Sequence, residues 1–293
     1  MTSTATHGRL IDGVDLSRAI SRETIERAAA LAVEGVVPTL AVVHVGDAPS
    51  AQSYRTQITR QAARVGIAVR DVALPALATA GDLDATLTGL NEDQVVHGVL
   101  VQTPLAAALR RVVQFRLSMD KDPEGVTPRH LGMLFLGAPE VLPPTPAAIL
   151  TITKHCRPDL RGARVVVVNG SPLIGRPLAM LLIDEGATPV ICTVHTRDLA
   201  AETRRADVLV AAAGCPHLIG PSHVAPGAVV VDAAINRLPD GALAGDVDTA
   251  AVLDRVAAIT PVPGGVGPVT TAVLLSNVTT LAALHRGAIR HFA

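Results

Sequence analysis

Short runs rich in Val and Ile alternate with longer segments of helical period along this chain. The runs are apolar throughout rather than on alternate residues, which is typical of parallel strands covered by helices on both faces of a sheet. The pattern predicts an α/β fold with two doubly wound α/β domains. The predicted strands are Thr39–Val45, Val69–Leu74, Gly98–Gln102, Arg164–Val168, Pro189–Thr193, Asp207–Ala213 and Ala228–Val231, with helices at Ile25–Glu34, Ala51–Val65 and Leu83–Leu90.

A proline-rich segment divides the two series of strands. Pro143-Pro144-Thr145-Pro146 is typical of a domain junction, and Thr145 is predicted to cap a helix that runs to about His155. A chain of 293 residues is long enough for two domains with ordinary cores.

The composition of the chain argues against nucleic-acid and membrane partners. With 49% apolar residues, 17% charged residues and a formal net charge of −1, the chain offers no polyanion-binding face. Apolar stretches end well short of the roughly 18 residues that a membrane span needs, and residues 1–15 show no signal pattern. We therefore expect a cytoplasmic protein with no nucleic-acid or membrane partner. Cys156, Cys192 and Cys215 lack CxxC spacing, so no metal site is expected.

The run from Pro261 to Pro268 contains three prolines and three glycines. Proline fixes φ and removes a donor, whereas glycine lets a ligand approach the backbone closely, so the run predicts a rigid wall beside a cavity. Pro268 stands where a helix would start, and Val269–Leu284 is apolar enough to be that helix. The alternative is a stiff turn between a strand and a helix.

A nucleotide-binding turn is predicted directly after the strand Arg164–Val168. The segment Asn169–Pro177 leads into the helix Leu178–Glu185, and free N–H groups at such a helix start meet the pyrophosphate of a dinucleotide. The turn is not the GxGxxG fingerprint, so a plain turn remains the alternative. The candidate cofactor-binding residues are Asn169, Gly170, Ser171, Gly175, Arg176 and Pro177, then Thr193 and His195, and finally Ala213, Gly214, Ala234 and Ile235 at later strand ends.

The end of the second strand of this series bears on the choice of cofactor. An acidic residue there usually holds the ribose of NAD, but the sequence reads Thr193-Val194-His195-Thr196-Arg197. A basic segment rich in hydroxyl groups favours the 2′-phosphate of NADP over NAD.

Taken together, several motifs resemble the methylenetetrahydrofolate dehydrogenase/cyclohydrolase family over nearly the whole chain. The resemblance implies a folate-binding domain of residues 1–142 plus 270–293, a Rossmann-type NAD(P)-binding domain of residues 143–269, a cleft between them and a homodimer that uses NADP. The motifs are Gly46–Tyr54, Val99–Leu105, Asp120–Asp122, Gly170–Pro177, Gly245–Val247 and Pro261–Pro268.

The resemblance also implies roles for particular residues toward a tetrahydrofolate derivative. Tyr54 would stack on the pterin and p-aminobenzoyl rings, Gln102 would lie beside the one-carbon bridge, and Glu124 would bind the pterin edge. The wall of the substrate site would include Pro263, Gly264, Gly265 and Val266.

Departures from the family pattern are as informative as the matches. The lysine expected four residues after the tyrosine, which carries the cyclohydrolase step, is Ile58 here. Glu124 replaces an aspartate, Asn169 and Ala234 replace glycines, and Val194 stands where a polar residue often meets the 2′-phosphate. These changes predict an altered pterin site and weaker cofactor binding.

The leading hypothesis is therefore NAD(P)-dependent oxidation of 5,10-methylenetetrahydrofolate to the methenyl form, with cyclohydrolase activity weak or absent. Hydride transfer needs two ligands held in contact and little acid–base assistance, so it does not require the lysine. The alternatives are an enzyme acting on another folate or pterin one-carbon adduct in a specialised pathway, a non-catalytic folate-binding or regulatory protein, and full bifunctionality with another residue in place of the lysine.

Overall fold

The computed structural model describes residues 8–46 and 49–285, in two compact units. One unit holds the described residues up to Arg18 together with Pro144–Thr270, and the other holds Ala19–Pro143 together with the described residues from Thr271. The first residues, which the sequence assigned to the folate domain, group instead with Pro144–Thr270. Within the motif Gly46–Tyr54, Asp47 and Ala48 lie outside the described residues.

Eleven strands and ten α-helices make up the described part of the chain. The strands are β1 (Arg9–Leu10), β2 (Thr39–Val45), β3 (Ala68–Leu74), β4 (Gly98–Val101), β5 (Arg164–Val168), β6 (Thr188–Cys192), β7 (Val208–Ala211), β8 (Val229–Asp232), β9 (Asn236–Arg237), β10 (Leu243–Ala244) and β11 (Ala258–Ile259). The helices are α1 (Gly13–Val33), α2 (Pro49–Arg64), α3 (Ala80–Glu92), α4 (Ala107–Arg116), α5 (Pro128–Phe135), α6 (Pro144–Cys156), α7 (Gly175–Asp184), α8 (Leu199–Thr203), α9 (Thr249–Val252) and α10 (Val266–His285).

The unit of Ala19–Pro143 contains a parallel three-stranded sheet in the order β3-β2-β4. Alternate residues of β2 enter two separate apolar clusters, one with α2 and α10 and the other with α3 and α4, so helices cover both faces. The strand β3 is not buried as predicted, and Arg70 and Asp71 are exposed. Both β3 and β4 are edge strands, but β4 is fully buried, so the two edges of the sheet are covered differently.

The unit of Pro144–Thr270 contains a six-stranded sheet in the order β1-β11-β8-β7-β5-β6. All of its strand pairs are parallel, and β1 joins it by pairing with β11, which explains why the first residues belong to this unit. From β5 the chain passes to β6 on one side and then to β7 on the other. The carboxyl edge between β5 and β7 is therefore a topological switch point, where ligands bind in open α/β sheets.

Several helices start earlier than the sequence predicted: α1 begins at Gly13 rather than Ile25, and α2, α3 and α7 begin two or three residues before their predicted starts. The starts of two more helices also differ. Thr145 lies inside α6, which begins at Pro144, and α10 begins at Val266 rather than Val269. In both helices proline occupies the first turn, where its missing N–H would have no partner inside the helix. α10 is long and apolar enough to cross a membrane by length and composition, but 67% of its most apolar stretch is buried inside the protein. Its apolar character therefore matches that of a core helix.

Candidate active site

The candidate cofactor residues follow four neighbouring strands at one edge of the six-stranded sheet. In the register of that sheet, Val168 pairs with both Cys192 and Ala211, and Ala211 pairs with Asp232. Val168, Cys192, Ala211 and Asp232 are the last residues of β5, β6, β7 and β8. The segments that follow them therefore leave the sheet side by side at the same edge. The structure thus brings together the cofactor residues that the sequence placed after separate strands.

Asn169 organises the turn that follows β5. Its side-chain oxygen accepts hydrogen bonds from the N–H groups of Ser171 at 2.8 Å and Gly175 at 3.1 Å, and its Nδ2 donates to the Ala212 carbonyl at 2.6 Å. The Arg176 N–H donates to the Ser171 carbonyl. The expectation of free N–H groups at this turn is therefore wrong for these three donors, since a side chain of this length can fold back into the turn. The hydrogen bond from Asn169 Nδ2 to the Ala212 carbonyl spans the switch point between β5 and β7.

Close packing fixes the glycines of the same turn. A Cβ added to Gly175 would lie 1.8 Å from the Asn169 carbonyl oxygen, and one added to Gly170 would lie 2.8 Å from the Thr193 methyl group. The second contact brings the end of β6 against the turn. Arg176 is exposed with its Nε donating to the Gly170 carbonyl at 3.1 Å, so it is available to an anion at this edge. These residues fit a phosphate-bearing ligand.

The segment after the second strand of the unit is also shaped by hydroxyl groups. Thr193 accepts a hydrogen bond from the His195 N–H at 3.2 Å, and the Thr193 N–H donates to Thr196 at 2.9 Å. Val194 points to solvent, with 95% of its surface exposed. The side chain that replaces a polar residue of the family therefore makes no apolar core contact.

A buried carboxylate that the sequence did not assign to the site holds the segment after β7. Asp246 accepts hydrogen bonds from the N–H groups of Ala213, Gly214 at 3.0 Å and Cys215 at 2.8 Å, and from the Asn236 side-chain amide at 2.9 Å. Its only sequence signal was its place in the motif Gly245–Val247. The three backbone partners lie more than 30 residues away along the chain and Asn236 lies 10 residues away, so spacing alone does not reveal the contacts.

A second carboxylate, Asp232, lies against the first at the end of β8. It accepts from the N–H groups of Ala234 at 3.1 Å and Val247 at 2.8 Å. Burial, and then the nearby charge of Asp246, raise the pKa of Asp232 to about 6. A Cβ on Gly245 would lie 1.9 Å from the Asp232 carboxylate, so only glycine fits there.

The Pro261–Pro268 run belongs to the same unit and borders the row of strand ends. Gly264 has φ +105°, and its carbonyl accepts from the Gly13 N–H at 3.0 Å. A Cβ on Gly265 would lie 2.6 Å from the Pro261 carbonyl oxygen, and one on Gly267 would lie 3.9 Å from Ile235. Close packing therefore requires glycine at position 265 and the positive φ favours it at position 264, whereas a Cβ at position 267 would make only an ordinary van der Waals contact. Pro263 and Val266 lie in the same run, and Val266 is buried.

The remaining folate candidates lie in the other unit, where α2 carries Tyr54 and the position of the missing lysine, Ile58. Tyr54 is 40% exposed, whereas Ile58 is 0% exposed and packs in an apolar cluster with Leu40, Leu100 and Leu275. Position 58 is therefore part of the hydrophobic core. Gln102 directly follows β4, is 5% exposed and donates its backbone N–H to the Val43 carbonyl at 2.8 Å.

Glu124 lies close enough to Tyr54 for the two groups to influence each other electrostatically. Burial, and then the charge of Glu124, raise the pKa of Tyr54 to about 12. Burial, and then the charge of Asp122, raise the pKa of Glu124 to about 8. The carboxyl group of Glu124 therefore carries a proton over much of the neutral range.

A buried imidazole–carboxylate pair supports this corner of the unit. Asp122 and His130 are 0% and 1% exposed, with 3.1 Å between Asp122 Oδ2 and His130 Nδ1. The same oxygen accepts from the Thr127 N–H at 2.8 Å, while Asp122 Oδ1 has no hydrogen-bond partner among the described residues. The sequence motif contained Asp122 but gave no signal for His130. Among the described residues, no cluster of three or more His, Cys, Asp or Glu side chains is placed to hold a metal ion.

The six-stranded sheet with its row of polar strand ends defines a dinucleotide-binding unit, joined in one chain to a smaller α/β unit. Comparison with known families gives the particular assignment. Residues 11–124 match the catalytic domain of tetrahydrofolate dehydrogenase/cyclohydrolase, and residues 143–286 match its NAD(P)-binding domain. The chain therefore belongs to the tetrahydrofolate dehydrogenase/cyclohydrolase family, as the motifs predicted.

Individual relatives agree with this assignment. The chain is 46% identical over 280 residues to the bifunctional protein FolD of Bordetella avium, covering 95% of this chain and 98% of that protein. The crystal structure of the Campylobacter jejuni enzyme superposes with a TM-score of 0.90 at 38% identity, covering 94% of this chain and 98% of the other. A Trypanosoma brucei FolD structure with NADP and an inhibitor gives a TM-score of 0.88 at 32% identity, covering 97% and 99%.

Proposed function

We propose that the protein oxidises 5,10-methylenetetrahydrofolate to 5,10-methenyltetrahydrofolate with NADP, and that its cyclohydrolase activity is weak or absent. The family provides the dehydrogenase reaction and the folate substrate class. The single observation that supports the loss of hydrolysis is the complete burial of Ile58 in the core, where the family's lysine would stand. An alkyl side chain can neither activate water nor transfer a proton.

Neither lysine of the chain is available to replace it. Lys121 is buried, and its Nζ donates to the carbonyl oxygens of Leu90, at 3.1 Å, and Asp93. Lys154 belongs to the other unit, where its Nζ lies 2.6 Å from Glu185. The sequence contains no further lysine. Full bifunctionality would therefore need a group of different chemistry.

The dehydrogenase step makes fewer demands on the protein. Bound NADP supplies the hydride acceptor, and the protein has to hold the folate in contact with it and exclude water. We propose that Tyr54 supports the folate rings, that Gln102 lies beside the one-carbon bridge and that Glu124 binds the pterin edge. On the cofactor side, we propose that Arg176, with its neighbours in the turn after β5, binds a phosphate.

The preference for NADP over NAD is part of this proposal. The segment after β6 carries Thr193, His195 and Arg197 and no acidic side chain before Asp198. The Trypanosoma brucei relative was crystallised with NADP. A comparison of kcat/KM for the two cofactors tests the preference, and a higher value with NAD would contradict it.

Two separate rates test the main proposal. Formation of reduced nicotinamide from methylenetetrahydrofolate measures the dehydrogenase, and disappearance of methenyltetrahydrofolate above its rate in buffer measures the cyclohydrolase. We expect the first rate with NADP and no measurable second rate. No reduced cofactor with either NADP or NAD would reject the dehydrogenase, whereas hydrolysis as fast as oxidation would reject the loss of cyclohydrolase.

The variant Ile58→Lys, with Ile58→Met as its matched apolar control, sharpens the second result. A gain of hydrolysis in Ile58→Lys alone assigns the missing activity to position 58. The oxidation rate of each variant reports whether its folate site is intact, which separates a misfolded variant from an inactive one.

Assembly and location complete the proposal. We propose a homodimer, as the family resemblance implies, and a cytoplasmic location, as the composition leads us to expect. Light scattering of the purified protein tests the dimer, and a mass equal to one chain would contradict it.

A further inference from the structure

In the segment after β7, residues 213–215, every backbone N–H group donates to the same carboxylate. The N–H groups of Ala213, Gly214 and Cys215 all donate to Asp246, which is 0% exposed. Three successive N–H groups that converge on one point form a cradle of the kind that binds anions. Here the protein's own carboxylate fills the cradle, so a cofactor phosphate has no place in it.

The backbone polar atoms of residues 213–215 that have no partner in the described part of the chain determine which ligand groups this segment can bind. Each residue has one backbone donor and one backbone carbonyl. Among the residues that the structure describes, no group donates to the carbonyl oxygens of Ala213 and Gly214, while that of Cys215 accepts from the Leu218 N–H at 3.3 Å. Gly214 has φ +71°, and a Cβ added there would meet nothing within 4 Å. The segment therefore borders open space with acceptors and no donors.

Its place in the sheet identifies the ligand group. The segment follows β7 at the switch point, beside the turn that Asn169 organises, in the unit that matches the NAD(P)-binding domain. A partner for carbonyl oxygens must carry N–H or O–H donors, and the primary carboxamide of nicotinamide has two N–H donors. The ribose hydroxyls and the adenine amino group are the other donors of NADP, and a cofactor analogue that lacks only the carboxamide N–H groups distinguishes them from the carboxamide.

We propose that Asp246 is a positioning residue for the cofactor, which turns the N–H groups of residues 213–215 inward so that this segment presents its carbonyl oxygens to the nicotinamide carboxamide. The carboxylate acts through the backbone and does not touch the cofactor. Its fourth bond, from Asn236, ties the same carboxylate to the segment after β8. This inference rests on cofactor binding and is independent of whether the folate is oxidised.

Hydrogen exchange of the wild-type protein tests the donor assignment directly. We expect the N–H groups of residues 213–215 to exchange slowly without cofactor and to show the same protection when NADP is added. Fast exchange without cofactor that becomes slow on adding NADP would overturn the proposal, because the donors would then face the ligand. This measurement needs no variant.

A cofactor analogue tests the carbonyl acceptors. The 3-acetylpyridine analogue of NADP keeps the ring substituent's carbonyl group but lacks the N–H donors. We expect calorimetry to show that wild type binds NADP more tightly than the analogue, and that Asp246→Asn reduces this affinity ratio by about threefold to tenfold, the value of one hydrogen bond. Because each variant is judged by the ratio of its own affinities for NADP and the analogue, a general change in cofactor affinity cancels.

Asp232→Asn is the matched control because Asp232 is also buried but accepts from the N–H groups of Ala234, Val247 and Asp246, and not from residues 213–215. It should lower stability and leave the affinity ratio unchanged. An equal loss of the ratio in both variants would overturn the proposal in favour of general loosening, as would an unchanged ratio in a folded Asp246→Asn protein. If Asp246→Asn does not fold, the hydrogen-exchange result decides. Failure of wild type to oxidise folate would reject the proposed function and leave both binding tests valid.

Discussion

Tyr54 and Ile58 lie one helical turn apart on α2, yet the Tyr54 side chain is 40% exposed and the Ile58 side chain is completely buried. Residues at positions i and i+4 lie on the same side of a helix, so the boundary between the hydrophobic core and the accessible surface passes between these two. The loss of the lysine is therefore more than the removal of a charged group, because position 58 has joined the core.

Restoring the lysine should cost stability. In Ile58→Lys the ammonium group must either be desolvated among Leu40, Leu100 and Leu275 or reach the surface along the helix. We expect urea unfolding to show a loss of about 2 kcal/mol or more, against less than about 1.5 kcal/mol for the apolar control Ile58→Met. Equal stability of the two variants would show that the site accommodates a lysine without cost.

The aromatic ring of Tyr54 should matter more than its hydroxyl group. Tyr54→Phe keeps the surface on which folate rings would stack, and we expect its KM for folate to change less than about threefold. Tyr54→Ala removes the ring, and stacking worth about 1–3 kcal/mol predicts a KM higher by roughly fivefold to 150-fold. Steady-state kinetics checks both variants. A Phe variant as impaired as the Ala variant would instead assign the hydroxyl group a direct role.

Central strands were predictable from the sequence because burial on both faces makes them continuously apolar. The bounds of Thr39–Val45 and Arg164–Val168 agree with β2 and β5. The exposure of β3 was not predictable, since it depends on what packs against each edge of the sheet. Val69, Val72 and Leu74 of β3 resemble residues of a buried strand, yet of the two edge strands only β4 is fully buried.

Those features of the candidate site that depend on a short stretch of sequence could be predicted. Those that depend on contacts between distant segments could not. The turn after β5 was identified from its glycines, but the use of its donors by Asn169 depends on the side-chain conformation. The contacts of Asp246 with Gly214 and of Asp122 with His130 join separate segments and leave no periodic pattern. Such contacts form only when the separate segments pack together in the folded unit.

The raised pKa of Glu124 makes stability depend on pH in a defined direction. With a pKa of about 8 in the folded protein against an ordinary value of 4.5, the folded state binds a proton that the unfolded state has lost. The free energy of unfolding must therefore fall as pH rises from about 4.5 to about 8, by up to about 1.4 kcal/mol per pH unit. Asp232, with a pKa of about 6, contributes in the same direction at lower pH.

Urea unfolding at about pH 7 and about pH 9 excludes most of the Asp232 contribution, since Asp232 is largely ionised at both. Burial also raises the pKa of Cys156 and Cys192, so the contribution of Glu124 is the difference between wild type and Glu124→Gln. We expect wild type to lose about 1–2 kcal/mol between them and Glu124→Gln to lose clearly less, because its amide stays neutral. The exposed Glu140 provides the control, and Glu140→Gln should behave as wild type. If Glu124→Gln keeps the wild-type pH dependence, a different group is responsible.

The turn after β5 should tolerate no side chain at Gly175. An alanine Cβ would lie 1.8 Å from the Asn169 carbonyl oxygen, and backbone cannot move that far without breaking the bonds that Asn169 makes to Ser171 and Ala212. We expect Gly175→Ala to lower the free energy of unfolding by about 3 kcal/mol or more and to weaken NADP binding. The matched control is Gly89→Ala in the exposed interior of α3, where an added Cβ meets nothing within 4 Å. Because alanine favours helix over glycine by about 0.5–1 kcal/mol, Gly89→Ala should stabilise the protein and leave NADP affinity unchanged. Calorimetry and urea unfolding of both variants measure the difference. A stable Gly175→Ala protein with normal NADP affinity would contradict the prediction, because the turn would then accommodate a side chain despite its close packing.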